Sequence, residues 1–569
     1  MTVRITQEKL WLSTFRLFAL AMIILAIIGA VKSYSSVPFW DMWNGYLEFY
    51  TNVVYKGDIQ AWWQQHNEHR IVLARTLFWL DLSFFSGSGK FLIVISFLLI
   101  FCSYVVFNKI LQERLGIEEG ESEYPSKIFN LLIFVILFSW IQEANITWAF
   151  QSQFFLAQLL PLIAFFLLYK SFVCKKASNS LFVLACVIGV VSIGSMANGI
   201  LALPLMFIYA LVIRMTKLRI FILCLLSIIT ITLYFYGYDA VGGHGSLKDA
   251  LLNNWIGLLQ YISLYIGGPF YYMTKNIIVA QIAGLFLISS SAYFAWIALK
   301  KPSKSSLQLA LLFFILYIGG TALGTGGGRL FFGIEQALSG RYQTPALMAW
   351  VALLILYSPK IIKKINNNSL LALSMLILIP ILLLPQQLKA LSSKQGLLFE
   401  REIAALAIEL RIKDQSQISN VFPSAEWVLS ASEVAVENNL SIFGQPKIKD
   451  IPLLIGKKET DTKVKCVGSL DGVTLIPGVL NYLKVRGWMY QADAQLSPKS
   501  VHIIKNGEII GYALTGQPRD DVANAINLNA KTSGFKGYIL ADKLGGGVVL
   551  KGLQPECQLD VFTAAPSPL

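Results

Sequence analysis

Apolar runs near residues 17–31, 90–111, 127–141, 153–171, 180–194, 199–213, 219–237, 276–298, 306–323, 343–358 and 369–385 dominate the first two-thirds of the chain. Most are long enough to cross a bilayer as a helix. Past residue 398 the pattern changes: Glu400, Arg401, Glu402, Glu409 and Arg411 interleave with apolar positions at helical spacing as far as about residue 440. From about residue 463 apolar and polar residues alternate in short runs such as YLKVRGWMY and SVHIIKNGEIIGYAL, broken by Asn-Gly, Asp-Gly and Gly-rich turns, a pattern of strands and hairpins. The pattern predicts a polytopic α-helical membrane protein of about 11 spans, followed by a soluble α/β region containing a β-sandwich. The expected domains are 1–385 in the membrane, 386–462 as a helical or mixed connector, and 463–569 as the sandwich.

Composition agrees with a lipid solvent, because 55% hydrophobic and 14% charged residues with a mean hydropathy of +0.59 do not fit a soluble globular chain. Residues 386–569 hold 20 of the 47 Lys+Arg and 18 of the 33 Asp+Glu, so the net charge of +14 resides almost wholly in the membrane region. There it is read as cytoplasmic loop bias, and nucleic acid is not implied as a partner. Basic residues precede the first run (Arg4, Lys9, Arg16) and recur at Lys170/Lys175/Lys176, Arg214/Lys217/Arg219, Lys300/Lys301/Lys304 and Lys360/Lys363/Lys364. With these on the cytoplasmic side, the segments 33–89, 142–152, 195–198, 238–275, 324–342 and everything after about 386 face outward. Parity holds if residues 250–272, apolar but rich in Tyr and Gly, form an interfacial or re-entrant element instead of a span. The run 17–31 reads as a retained first span, since no cleavage site of convincing form follows it. Of six cysteines, four lie in or beside apolar runs, while Cys466 and Cys557 stand alone in the tail, where export would allow them to pair as a disulfide.

The outward segments carry the chemistry. Asp41 lies between Trp40 and Trp43 soon after the first run, where partial burial beside aromatics raises a carboxyl toward the range of a general base. The alternative is a solvated interfacial acid beside an aromatic belt. His66, Asn67, Glu68, His69 and Arg70 follow as five hydrogen-bonding side chains in a row. Their spacing is not the helical pair of a zincin, yet a divalent metal stays open there, and no motif specifies a cofactor. Arg329 and Arg341, the latter beside Tyr342 in GRYQTP, lie in the last long outward loop. They read either as side chains snorkelling to lipid headgroups or as guanidinium forks for a phosphate. Gln151, Asn198 and His244 are polar groups at span ends and, taken singly, read as caps or turns.

Together the WDMW, HNEHR, SMANG and GRYQTP stretches, set on this plan of outward loops and an external tail, resemble the GT-C class of membrane glycosyltransferases. The resemblance implies a polyprenyl-phosphate-linked sugar as donor and an early loop carboxylate as catalytic base or metal ligand; the matching position is Asp41, with Glu68 the second candidate. The acidic pair of some branches is absent, because Met42 and Trp43 follow Asp41. The tail is similar to β-sandwich modules attached to bacterial glycosyltransferases, with Trp488 and Tyr490 as candidate sugar-stacking rings.

The expected function is inverting transfer of a sugar from a polyprenyl-phosphate donor to a cell-envelope glycan or lipid acceptor. The expected location is the periplasmic face of a bacterial inner membrane, with the tail periplasmic and membrane lipids as neighbours. Asp41 or Glu68 would act as base, and Arg341, Arg329 and Arg70 would hold the donor phosphate. Trp40, Trp43, His66, Asn67, His69, Gln151, Asn198, His244 and Tyr342 would contact substrate. The alternatives are a lipid-linked glycan flippase or transporter, which calls for ionisable groups within spans, and an O-antigen-type polymerase or ligase, which calls for a diphosphate-linked donor.

Overall fold

Each apolar run lies on a helix, as it must where hydrocarbon offers no partner for backbone N–H and C=O groups. The computed structural model describes residues 2–116, 124–239, 242–243, 245–367, 369–543 and 545–563. Among these, nine helices are long and apolar enough to cross a membrane: Glu8–Ser33, Lys90–Leu115, Tyr124–Thr147, Ala149–Val173, Lys217–Phe235, Ile277–Leu299, Pro302–Phe332, Gly340–Ile365 and Leu370–Leu391. The runs near 180–194 and 199–213 form the shorter apolar helices Ser178–Gly194 and Ala197–Val212.

The chain divides into two compact units: Met1–Val31, Trp62–Thr76 and Leu92–Ser392 in one, and Lys32–Ala61, Leu77–Phe91 and Ser393–Leu569 in the other. Most of the segment 33–89 therefore groups with the tail and not with the membrane helices. Hydropathy cannot see this, because membership of a unit depends on contacts between residues distant in sequence.

Residues Trp255–Thr274 form one uninterrupted 20-residue helix, N-capped by the Asn254 side chain and ended by Lys275 in the left-handed region. At about 1.5 Å per residue it is as long as a bilayer is thick. The segment upstream of it and its last turn both bond near one connection between later helices. Upstream, the Gly245 N–H donates to Gly328 O (3.0 Å). Downstream, the Tyr272 hydroxyl donates to Leu338 O (3.1 Å), and Gly328 and Leu338 flank the turn between the helices Ser306–Arg329 and Gln343–Asn367. The helix is fastened to its successor by glycines: a Cβ at Gly267 would strike the Ala280 carbonyl, and one at Gly284 the Ser263 carbonyl. Such small residues let two apolar helices approach backbone to backbone where lipid supplies no hydrophobic drive.

The tail corrects one expectation. Instead of a sandwich of two sheets, β1 (Val467–Ile476), β2 (Val479–Tyr490), β3 (Ser500–Lys505), β4 (Glu508–Gln517), β5 (Gly534–Leu540), β6 (Gly546–Leu553) and β7 (Cys557–Thr563) form one antiparallel sheet in the order β1-β2-β5-β4-β3-β6-β7. The sheet curls until its edges approach. Cys466 N–H donates to Gln558 O, Gln558 N–H donates to Val464 O, and Cys466 and Cys557 form a disulfide with 5.3 Å between their Cα atoms. Every strand contributes to the enclosed core, including Val473, Val485, Ile503, Ile510, Phe535 and Leu550. Alternation marks one buried face per strand but does not say whether a second sheet or the sheet's own curl covers it. Asn506 and Gly507, both with positive φ, make the tight β3–β4 turn that such a pair favours. Asp471-Gly472, by contrast, is no turn. It lies within β1 at a register shift, where glycine relieves a bulge.

The other face of the sheet is covered by the segment expected to be a separate connector. Helix Gln395–Glu409 pairs Glu400 with Lys536 of β5. Just beyond it, buried Asp414 accepts from Tyr538 Oη (2.9 Å) and Lys484 Nζ (2.6 Å). Burial alone would raise the Asp414 carboxyl, but Lys484, Ser416 and Tyr538 outweigh it and hold the group below the usual carboxylate range. Tyr490 is buried against Val522 and Ala530, with partly buried Trp488 packed on them, so Tyr490 is a core ring and not an open sugar platform. Asp414→Ala strands the Lys484 cation and should destabilise the tail unit by about 3 kcal/mol, whereas Leu480→Ala, at an 89% exposed side chain, should shift it by less than about 0.5 kcal/mol. Hydrogen exchange of the tail strands in the full-length protein measures both.

Candidate catalytic site

A two-residue turn presents the central carboxylate. His66 and His69 exchange both backbone hydrogen bonds (2.8 and 2.9 Å), leaving Asn67 and Glu68 at the tip. Asn67 adopts φ +48, a left-handed conformation that Asn tolerates better than most side chains. Two arginines fix the turn from below. Arg70 donates to the carbonyls of Trp63 (2.6 Å), Tyr234 (2.8 Å), Tyr236 (2.8 Å) and Gly237 (3.3 Å), and Arg75 donates to those of Trp62 and Gln64. The Tyr234 hydroxyl donates to Glu68 O (3.0 Å).

Around this turn gather groups from four distant segments. Arg329 Nη2 lies 3.3 Å from Glu68 Oε1, both side chains being about a quarter exposed. The Ala197 N–H donates to His69 Nδ1 (3.2 Å). Burial lowers the His69 pKa to about 4; Glu68 opposes the shift, while Arg329 and Arg341 add to it. His69 is thus a neutral ring with Nδ1 as acceptor, which assigns the proton to Nε2 and makes that atom a donor. Arg341 is carried by the short turn Gly340–Tyr342, whose backbone is pinned when Asn145 Nδ2 donates to Arg341 O (2.8 Å) and Thr344 Oγ1 (2.7 Å). Among the described residues its guanidinium has no hydrogen bond or ion pair. Tyr342 stacks on Tyr265 at 5.0 Å, and the Tyr261 hydroxyl lies beside Tyr342 within the field of both arginines.

The structure thus gathers Glu68, His69, Arg329, Arg341 and Tyr342, with Asn198 at the next position after Ala197. Asn198 Nδ2 donates to Thr321 Oγ1 (3.1 Å), and its Oδ1 has no partner among the described residues. The same holds for the buried Gln151 Oε1 and Gln343 Oε1. Other candidates are placed elsewhere. Arg70 is committed to four carbonyls and stacked on Trp63 and Tyr234, so it positions the turn and is not available as a phosphate fork. His66 is buried against Phe150, where burial, aided by Arg75 and His69, lowers its pKa to about 3. Asp41, Trp40 and Trp43 belong to the other unit, where Trp43 is fully buried beside Phe443, which corrects its reading as a substrate contact. Trp40 packs toward Phe422 and its N–H donates to Val421 O (2.9 Å). His244 lies outside the described residues. Among the described residues no three His, Cys, Asp or Glu side chains gather in metal-binding geometry.

Tyr261 and Gln343 escaped the sequence reading. The signal for Tyr261 is its spacing of one turn from Tyr265 in the Tyr- and Gly-rich segment, whereas Gln343 stands in GRYQTP with no spacing to mark it. Compared with protein-family models, with curated proteins and with solved structures, the chain matches none.

The two depressed histidines make the fold acid-sensitive. An unfolded chain takes up both protons near pH 6.5, the folded turn only near pH 3 to 4. Stability is therefore complete above pH 6.5 and falls as the pH drops from 6.5 toward 4. Thermal melts of the detergent-solubilised protein should show this limb, and His66→Phe should flatten it while leaving the melting temperature at pH 8 nearly unchanged.

Proposed function

We propose that this chain is a membrane glycosyltransferase of the GT-C type, moving a sugar from a polyprenyl-phosphate donor to a hydroxyl of a cell-envelope glycan or lipid at the periplasmic face of a bacterial inner membrane. The observation that carries the reading is the meeting of Glu68 with Arg329, Arg341 and neutral His69. One carboxylate is a group for removing an acceptor proton, and two guanidiniums with an imidazole N–H are donors for the oxygens of a departing phosphate.

In the proposed step, Glu68 takes the proton of the acceptor hydroxyl while that oxygen bonds to the anomeric carbon. The bond from that carbon to the phosphate oxygen breaks, and the polyprenyl phosphate leaves with the electron pair. A single displacement of this kind inverts the anomeric centre. Arg341, Arg329 and the His69 Nε2–H would receive the charge that develops on the phosphate. No nucleotide-binding element is needed, since the donor arrives already activated. Two further observations fit an external site: basic clusters flank the helices at the opposite ends, and a disulfide in the tail suits an oxidising compartment. The same donor set also suits a diphosphate, as in an O-antigen-type polymerase or ligase.

In membranes supplied with a polyprenyl-phosphate sugar, Glu68→Gln should lower kcat by about 10² or more. Arg341→Ala should lower kcat/KM by about 10². Asp41→Asn, in the other unit, tests the other candidate base, the one that the resemblance places first. Unchanged transfer in both carboxylate variants rejects the assignment, and turnover of only a diphosphate-linked donor replaces it with the polymerase or ligase reading.

A further inference from the structure

A cavity of about 920 Å³ opens at the opposite, basic end of the membrane helices, between the helices Ser178–Val191 and Lys217–Phe235. One wall is Phe182, Val183, Cys186, Val187, Val190 and Val191; Leu218, Ile222 and Leu226 face it. Val183, Val187 and Leu218 are exposed, so the groove opens sideways to the hydrocarbon. From Asn179 to Val191 the wall rises about 18 Å at 1.5 Å per residue, close to the roughly 15 Å depth of one leaflet's hydrocarbon.

The mouth is polar and cationic. Ser171, Ser178, Asn179 and Thr216 line it together with Arg214 and Arg219, and no acidic side chain does. Arg219 is held in place: Nη1 donates to Ser171 O (3.2 Å), Nη2 donates to Ser178 Oγ (2.7 Å) and Asn179 Oδ1 (2.8 Å), and its guanidinium lies 5.0 Å from the Phe182 ring centre. These bonds engage three of five N–H donors, which leaves two for an anion. Arg214, exposed at the rim, adds a second charge.

We propose that this groove binds one anionic phospholipid of the surrounding bilayer, its phosphate against Arg214 and Arg219 and one acyl chain along the valine wall. Charge complementarity selects the headgroup, and the leaflet-deep apolar slot selects a lipid over a free anion. The site lies on other residues than the proposed catalytic cluster and does not depend on that reading.

Native mass spectrometry of the full-length protein in mild detergent, offered phosphatidylglycerol or phosphatidylcholine with identical acyl chains, tests it. One phosphatidylglycerol should be retained in preference to phosphatidylcholine. Val187→Trp, which fills the slot, should abolish retention. Arg214→Gln, at an exposed side chain, should weaken it about fivefold, and Arg214→Lys should restore it. Equal retention of the two lipids, retention undiminished by Val187→Trp, or displacement by millimolar inorganic phosphate overturns the proposal.

Discussion

The Arg70 guanidinium is 3% exposed and donates to the carbonyls of Trp63, Tyr234, Tyr236 and Gly237, three of which lie at the end of the helix Lys217–Phe235. A helix ends with orphan carbonyls and partial negative charge, so a cation is well placed there. Only a planar fork serves several carbonyls at once, which a lysine ammonium on a flexible stem does not match. Remove it, and the carbonyls lose their donors while the turn above loses its floor. The position of Glu68 and His69 depends on that floor, because the turn itself has only two backbone hydrogen bonds.

The same economy governs the opposite wall of the cluster. Gln142, Asn145 and Thr344 are each at most 2% exposed and form a chain, Asn145 donating to Thr344 Oγ1, which donates to Gln142 Oε1 (2.7 Å). In a low-dielectric interior each of these bonds is stronger than it would be in water, although Asn145 Oδ1 has no partner among the described residues. Its second branch, from Asn145 to Arg341 O, fixes the backbone that bears the arginine, while the guanidinium has no hydrogen bond or ion pair among the described residues. Rigid backbone and available side chain are what binding an anion requires, since ordering costs fall on the side chain alone.

Much of the fold was legible in the sequence. Runs of apolar residues have one physical solution in lipid, and Asn506-Gly507 names its own turn. What stayed hidden depended on contacts between distant residues. Trp43 reads as an interfacial ring from its neighbours, yet it is a core residue of the tail unit, because Phe443 some four hundred positions later packs on it. Arg70 reads as a phosphate fork beside Glu68, and nothing local reveals that a helix end 164 residues on takes its donors. Glu68, Arg329 and Arg341 were legible as chemistry because charged groups are costly at a membrane's edge, but their meeting was not. Asp41 and Glu68, both between the first two long apolar helices, fall in different units.

Neutral His69 shows how the cluster tolerates two arginines. A third cation beside Arg329 and Arg341, with Glu68 the nearby carboxylate, would be a poorly compensated buried charge, and its cost appears as the depressed pKa. Holding the ring neutral removes that cost without removing a donor, since the Ala197 N–H occupies Nδ1 and directs the proton to Nε2. On the proposed reading the leaving phosphate meets three donors, two guanidiniums and the Nε2–H, and the acceptor proton passes to Glu68. The arrangement divides labour between N–H donors on one side and one carboxylate on the other. The carboxylate lies 3.3 Å from Arg329, which on the proposed reading keeps the base and a phosphate donor side by side.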